Sequence, residues 1–319
     1  MPSLLPVIGT LLLAVLLADV FLTVFHAGGR GGPVNRRQNE FLWRISRAAG
    51  IRGDGSPRHA ILAFGGPAIV AVTLVVWLAW LVLGFFLIYL PSIPSFLVSP
   101  GELRTPWMEA LYFSMYTGAT LGLGDLVADA GWLRLVSALQ AMAGFALFSI
   151  SITYLLSVYG ELIAARATAS GIATRFADGR EAVAERIEAH GVEPFARWAE
   201  GTTPALLAHI QGQFQYPVIN YFHSPDTSRA LPVQLQVVLR FDDLVQRAQD
   251  GEMARLRDHP SYLALRRAVG QLITETKRHF LPDGFREPGA SAEHEPDDQA
   301  LASLRAYMGY TRAAERDGS

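Results

Sequence analysis

The chain has 319 residues, of which 50% are apolar and only 18% charged, and its mean hydropathy is +0.24. A soluble domain carries about 25% charged residues, so a soluble enzyme is a poor starting class. A net charge of −2 disfavours a nucleic-acid binder that works through bulk positive charge. The absence of cysteine removes disulfides, Fe–S clusters, thiolate catalysis and Cys-based zinc sites.

Three apolar runs are long enough to cross about 30 Å of hydrocarbon as helices. The first, 4–26, is interrupted only by Asp19; the second, 60–90, has no charge; the third is 133–163. Gly65-Gly66-Pro67 predicts a break or kink near the start of the second run, with the true span beginning near Pro67. Between the first two runs lie seven arginines (Arg30, Arg36, Arg37, Arg44, Arg47, Arg52, Arg58) against Glu40 and Asp54. Short arginine-rich loops stay cytoplasmic. Arg166, Arg175 and Arg180 after the third run agree, whereas loop 91–132 holds only Arg104. The predicted topology puts the amino terminus outside and the carboxyl terminus inside, and uses the first run as a span rather than a cleaved signal. Phe41, Leu42, Trp43 and Ile45 among Arg44 and Arg47 predict an interfacial helix, with 28–59 a place for anionic lipid. Asp19, an acid inside a span, is a functional candidate or a partner for loop arginines.

The outward loop re-enters the membrane. Residues 106–118 (PWMEALYFSMYTG) start with Pro106 at a helix N-terminus and are too short to span. Ala119, Thr120, Leu121, Gly122, Leu123, Gly124 and Asp125 follow directly. Non-helical backbone at that depth is tolerated where it is buried or lines a water-filled path. Gly118 and Gly122 also spell G-x-x-x-G, but that motif explains less than a filter does.

A short helix followed by T-x-G-x-G-D between two long spans resembles the potassium-channel pore-loop superfamily, in its two-helix form and over roughly residues 67–165. The resemblance implies an outer helix, a pore helix, a filter and an inner helix, with Gly144, 19 residues after Asp125, at an inner-helix hinge. It also implies ion binding by the carbonyls of Thr120, Leu121, Gly122 and Leu123, and Asp125 at the outer mouth. The chemistry agrees with it. A dehydrated cation needs a cage of oxygens, and successive carbonyls turn the same way only if the backbone alternates, which Gly122 and Gly124 permit. The carboxyl end of the pore helix favours a cation. Phe145, Phe148, Ile152 and Leu156 follow helical spacing and read as cavity lining with an apolar gate, or as plain helix-packing surface, with the filter above favouring the cavity. Gly144 is either a hinge or a point of close helix packing. Ala119 and Leu123 depart from the common threonine and aromatic, which keeps a weakly selective cation channel as the runner-up. Tyr116 stands where some relatives carry a buried acid, so acid-linked inactivation is not carried over.

One pore loop cannot enclose an axis, so a homotetramer is expected. No helix has arginine at every third position, and so no ordinary voltage sensor is expected. From about 170 the chain turns polar. Helices are predicted over 178–200, 202–214, 231–250, 252–279 and 299–315, with turns at Gly201, Pro217, Pro225, Gly251 and Pro260, a cap at Ser224 or Asp226, and a linker at 282–298. His190, His209, His223 and His279 are candidates for a metal or proton sensor, ordinarily surface or packing residues. Tyr216, Tyr221, Phe222 and His223 read as core, and Asp242-Asp243 as a solvated face. No G-x-G-x-x-G strand–helix unit, P-loop, G-x-S-x-G, H-E-x-x-H or EF-hand pattern occurs.

The expectation is thus an all-α membrane channel and not an enzyme. Its divisions are an N-terminal span and arginine-rich segment (1–59), a pore (60–168), a helical cytoplasmic domain (169–281), and a linker with a last helix (282–319). No cofactor is expected beyond permeant potassium. Expected partners are further copies of the chain and lipid, not nucleic acid. A non-conducting sensor on the same fold is the rival from another class. Twenty-six arginines against the one lysine, Lys277, point to a GC-rich bacterial genome and a plasma-membrane location.

Overall fold

The computed structural model describes residues 4–26, 31–53, 56–98, 105–281 and 297–310. Arg30, Asp54 and Arg104, most of the 282–298 linker and the end of the last predicted helix lie outside them. The protein is an all-α membrane protein. Three helices among the described residues are long and apolar enough to cross a membrane: α1 (Leu4–Val24), α3 (His59–Tyr89, continued by a 3-10 turn at Leu90–Ser95) and α5 (Gly131–Arg175). Helix α2 is Pro33–Gly50 and helix α4 is Pro106–Gly118. Strands β1 (Phe96–Val98) and β2 (Leu126–Ala128) pair antiparallel, Phe96 with Ala128.

The chain forms two compact units that cut across the divisions read from composition. The first holds α1, Gly31–Gln38 and Val70–Ser157; the second holds Asn39–Ile69 and the chain from Val158 onward. The core of the first is aromatic. Phe113 of α4 meets Tyr89, Phe96 and Tyr116 edge-on, with centroids 4.9, 4.8 and 5.2 Å away, a geometry that suits the ring quadrupoles. Its outer faces are apolar and open: Leu17 is 72% exposed and Leu135 69%.

Three expectations about the spans are corrected. Helix α3 runs unbroken through Gly65-Gly66-Pro67. The two glycines serve packing there: a Cβ at Gly65 would lie 2.9 Å from the Trp43 ring, and one at Gly66 would lie 2.6 Å from the Phe222 ring. Trp43 is therefore fully buried core, not an interfacial anchor, while Phe41 and Ile45 on the same helix remain exposed. Helix α5 continues past 163 to Arg175, because Ala164, Ala165, Ala167 and Ala169 favour helix strongly. Its 45 residues extend about 67 Å at 1.5 Å each, twice what a bilayer requires.

The second unit packs α6 (Arg180–His190), α7 (Glu193–Gln215), α8 (Leu231–Arg247), α9 (Gly251–Arg257), α10 (Pro260–Phe280) and α11 (Asp297–Tyr307). Phe195, wholly buried, meets Phe241 at 5.0 Å and Trp198 at 5.1 Å. The predicted helix 178–200 is split at Gly191, whose φ of 82° ends α6, and α7 runs straight through Gly201. Pro260 divides 252–279 as a turn signal should. Asp226 caps only a short 3-10 turn, accepting from the Ser228 backbone N–H.

Tyr221 is core, against Trp43 and Phe280. Asp242 is not a solvated face: it accepts from the Tyr262 hydroxyl and from Arg266 Nε at 3.2 Å. The four candidate histidines do not gather. His223 instead bonds His59 at 2.7 Å and the Met308 carbonyl at 3.0 Å, and burial lowers its pKa to about 4.

Candidate functional site

The site grows from the end of α4. Pro106 opens this helix at a position where the missing N–H costs nothing. The bonds Ala119 N–H to Met115 O (3.0 Å) and Leu121 N–H to Tyr116 O (2.9 Å) close its last turn. The chain then leaves the helix. Thr120, Gly122 and Gly124 adopt φ of 58°, 58° and 80°, whereas Leu121 and Leu123 do not. Left-handed and ordinary residues thus alternate, as a row of inward carbonyls requires. Glycine adopts this conformation freely. A β-branched threonine does not, and Thr120 is the only non-glycine with positive φ among the described residues. Strain of this kind costs about 1–3 kcal/mol and persists where the surroundings over-determine it. Among the described residues, the carbonyls of Thr120, Leu121, Gly122 and Leu123 accept no hydrogen bond.

Side chains from α4 hold the carboxyl end of this segment. The Tyr112 hydroxyl donates to Asp125 Oδ2 at 2.9 Å, and Asp125 Oδ1 accepts from the Leu126 N–H at 3.0 Å. The Tyr116 hydroxyl donates to the Leu126 carbonyl at 2.5 Å. Arg134 Nε donates to the Ala128 carbonyl at 3.0 Å, closing the ribbon on α5.

A relay of polar groups crosses the apolar layer behind the segment. Gln140 Nε2 of α5 donates to the Ser114 carbonyl at 2.8 Å, and the Ser114 hydroxyl donates to the Val82 carbonyl of α3 at 2.7 Å. It ties all three pore elements together. Sequence reasoning passed over Tyr112, Ser114 and Gln140, although a fully buried glutamine inside an apolar run is the signal that finds such a relay.

Gly144 meets the same helix end. A Cβ there would run into the Gly118 carbonyl, so close approach is what this glycine provides. Gly144, Phe145, Phe148 and Ile152 line one cavity of about 680 Å³ together with Thr120. Leu156, 68% exposed, does not line that cavity in the single chain, whereas Leu155 does.

Asp19 makes a second polar centre and, among the described residues, engages no arginine. Its Oδ1 accepts from the backbone N–H groups of Val34 and Asn35 (3.0 and 3.2 Å), and its Oδ2 accepts from Trp77 Nε1 at 3.1 Å. It caps α2 from another helix, satisfying N–H groups that a helix start leaves bare. Gly32 permits the approach: a Cβ there would lie 2.6 Å from Asp19 Cγ. Thr23, Asn35, Thr73 and Gln38 extend the network.

Comparison with known proteins adds two findings. Residues 72–161 match the ion-channel family model described as "Ion channel". The chain is 29% identical over 220 residues to the uncharacterized membrane protein YdjJ of Bacillus subtilis (strain 168), covering 68% of this chain and 62% of that protein, less than two thirds of its length. No solved structure matches. The family match starts in α3, takes in α4 and the segment 119–125, and ends in α5. Residues 72–161 are therefore similar to the ion-channel family, and they lie in an all-α membrane protein.

Proposed function

We propose that the chain assembles as a homotetramer that conducts potassium passively and selectively, with Thr120 to Asp125 as its filter and α5 as its gating helix. The observation that carries this reading is the alternation of left-handed backbone at Thr120, Gly122 and Gly124, with carbonyls of 120–123 that accept nothing. Four such segments around an axis supply the oxygen cage that replaces an ion's water. Phe145 and Phe148, 66% and 64% exposed in one subunit, then face the axis and form an apolar gate below the filter. Arginine placement supports an outside amino terminus and a cytoplasmic second unit in a bacterial plasma membrane. Exposed Phe41 and Ile45 on the basic helix α2 support a seat on anionic lipid.

The test is potassium flux from liposomes holding the purified protein, with sodium replacing potassium in a parallel set. Potassium-only flux is expected. Equal flux of both ions replaces this reading with a weakly selective cation channel, for which Leu123 in place of an aromatic is the reason. No flux from intact tetramers favours a non-conducting sensor on the pore fold.

A further inference from the structure

The second unit encloses a cavity of about 70 Å³ lined by Leu162 and Arg166 of α5, His209 and Gln213 of α7, Thr276 of α10 and Leu304 of α11. At about 10–15 Å³ of such volume per water, it holds a molecule of roughly five heavy atoms. Two polar atoms on its walls are buried without a partner: His209 Nδ1 and Arg166 Nε. An unpaired buried donor of this kind is costly unless something occupies the site.

The polarity of the site follows from its hydrogen bonds. The Thr276 hydroxyl shares its proton between the Leu272 carbonyl at 2.7 Å and the Gln213 side-chain oxygen at 2.8 Å, and the Gln213 nitrogen faces His209 Nε2 at 3.1 Å. A neutral His209 then carries its proton on Nδ1, as a donor. Burial lowers the His209 pKa to about 4 and raises that of Tyr310, also on the wall, to about 12, so both are neutral near pH 7. The remaining charged wall residue, Arg229, is paired with Asp226 at 3.3 Å. Among the described residues Arg166 is thus the one charge on the wall without a counter-charge, and the rest of the lining is mainly leucine, isoleucine and alanine.

We propose that this cavity is a binding site for a short-chain monocarboxylate of three or four carbons. Its carboxylate accepts from Arg166 Nε and His209 Nδ1, and its alkyl end lies among Leu162, Leu235 and Leu304. One negative charge matches one arginine, the apolar walls suit the alkyl end, and the volume excludes a long chain. Arg166 and Leu162 belong to α5, so the site touches the helix that also carries Phe148 and Ile152.

The experiment is equilibrium dialysis of radiolabelled propionate against the full-length protein in nanodiscs at constant ionic strength. Saturable binding of one propionate per chain is expected. Excess unlabelled butyrate should displace it, and excess ethylammonium or octanoate should not. Arg166→Met should weaken binding at least tenfold, and the exposed-surface change Arg267→Met should leave it unaltered. Absence of saturable binding, equal competition by ethylammonium, or an unchanged affinity in Arg166→Met means a water-filled cavity and overturns the proposal. Should Arg166→Met fail to fold, the charge and length discrimination by the native protein decides alone.

Discussion

Two polar centres lie inside the first unit, and they satisfy their hydrogen-bonding groups in opposite ways. Around Asp19 every bond closes within one subunit, with three donors from α2 and α3 converging on one carboxyl group. Along 120–124 the polar groups are backbone carbonyls, side chains matter mainly at the ends, and a single subunit leaves the carbonyls unpaired. The first arrangement is complete on folding; the second is left open in one chain, which is what the proposed filter requires. Low-dielectric surroundings make an unpaired polar group costly. The Asp19 centre therefore spends its hydrogen bonds on stability, and under the proposed function the 120–124 segment keeps its own for an ion.

This contrast predicts which substitutions separate function from stability. The largest effect is expected from Gly122→Ala. A Cβ there meets nothing in one subunit, but φ is 58°, so flux should fall to background while the melting temperature and the oligomer persist. Flux that survives this change removes the filter assignment and erases the contrast. Gly144→Ala comes next. Its methyl would meet the Gly118 carbonyl, so it should lower both flux and melting temperature, measured side by side in liposomes and detergent.

Asp19→Ala leaves three donors bare and should destabilise the protein by about 3 kcal/mol or more, read as a fall in melting temperature. The protein that remains folded should keep its ion preference; a changed preference would mean that the two centres are not separable. Trp77→Phe removes one of those bonds and should cost about 1 kcal/mol. Tyr112→Phe is expected to be the smallest stability change, since the bond it removes is exposed. Its readout is single-channel open time, which should shorten as Asp125 loosens.

The pore helix was legible to the residue: 106–118 was expected, and α4 is Pro106–Gly118. The positive φ at Gly122 and Gly124 was equally legible, because glycine chemistry is local. The strained Thr120 was not, since nothing in a threonine announces a left-handed backbone. The break expected at Pro67 did not occur, because Trp43 and Phe222 fill the notches left by Gly65 and Gly66. Gly191 and Gly201 have the same local signature, yet the first ends a helix and the second sits within one.

Composition, run length and glycine spacing by themselves determined that this is an all-α membrane protein with three helices long and apolar enough to span and a glycine-rich segment of left-handed backbone, because hydrophobic length and backbone freedom are properties of a residue and its neighbours. Tertiary structure alone decided that Asp19 caps α2 rather than meeting an arginine. It also decided that Gln140 and Ser114 tie α5 to α3, and that Arg166 and His209 meet at one cavity. In each case the partners stand tens of residues apart. A buried polar group takes whichever partner the packing brings within 3 Å, and the packing is a property of the whole fold.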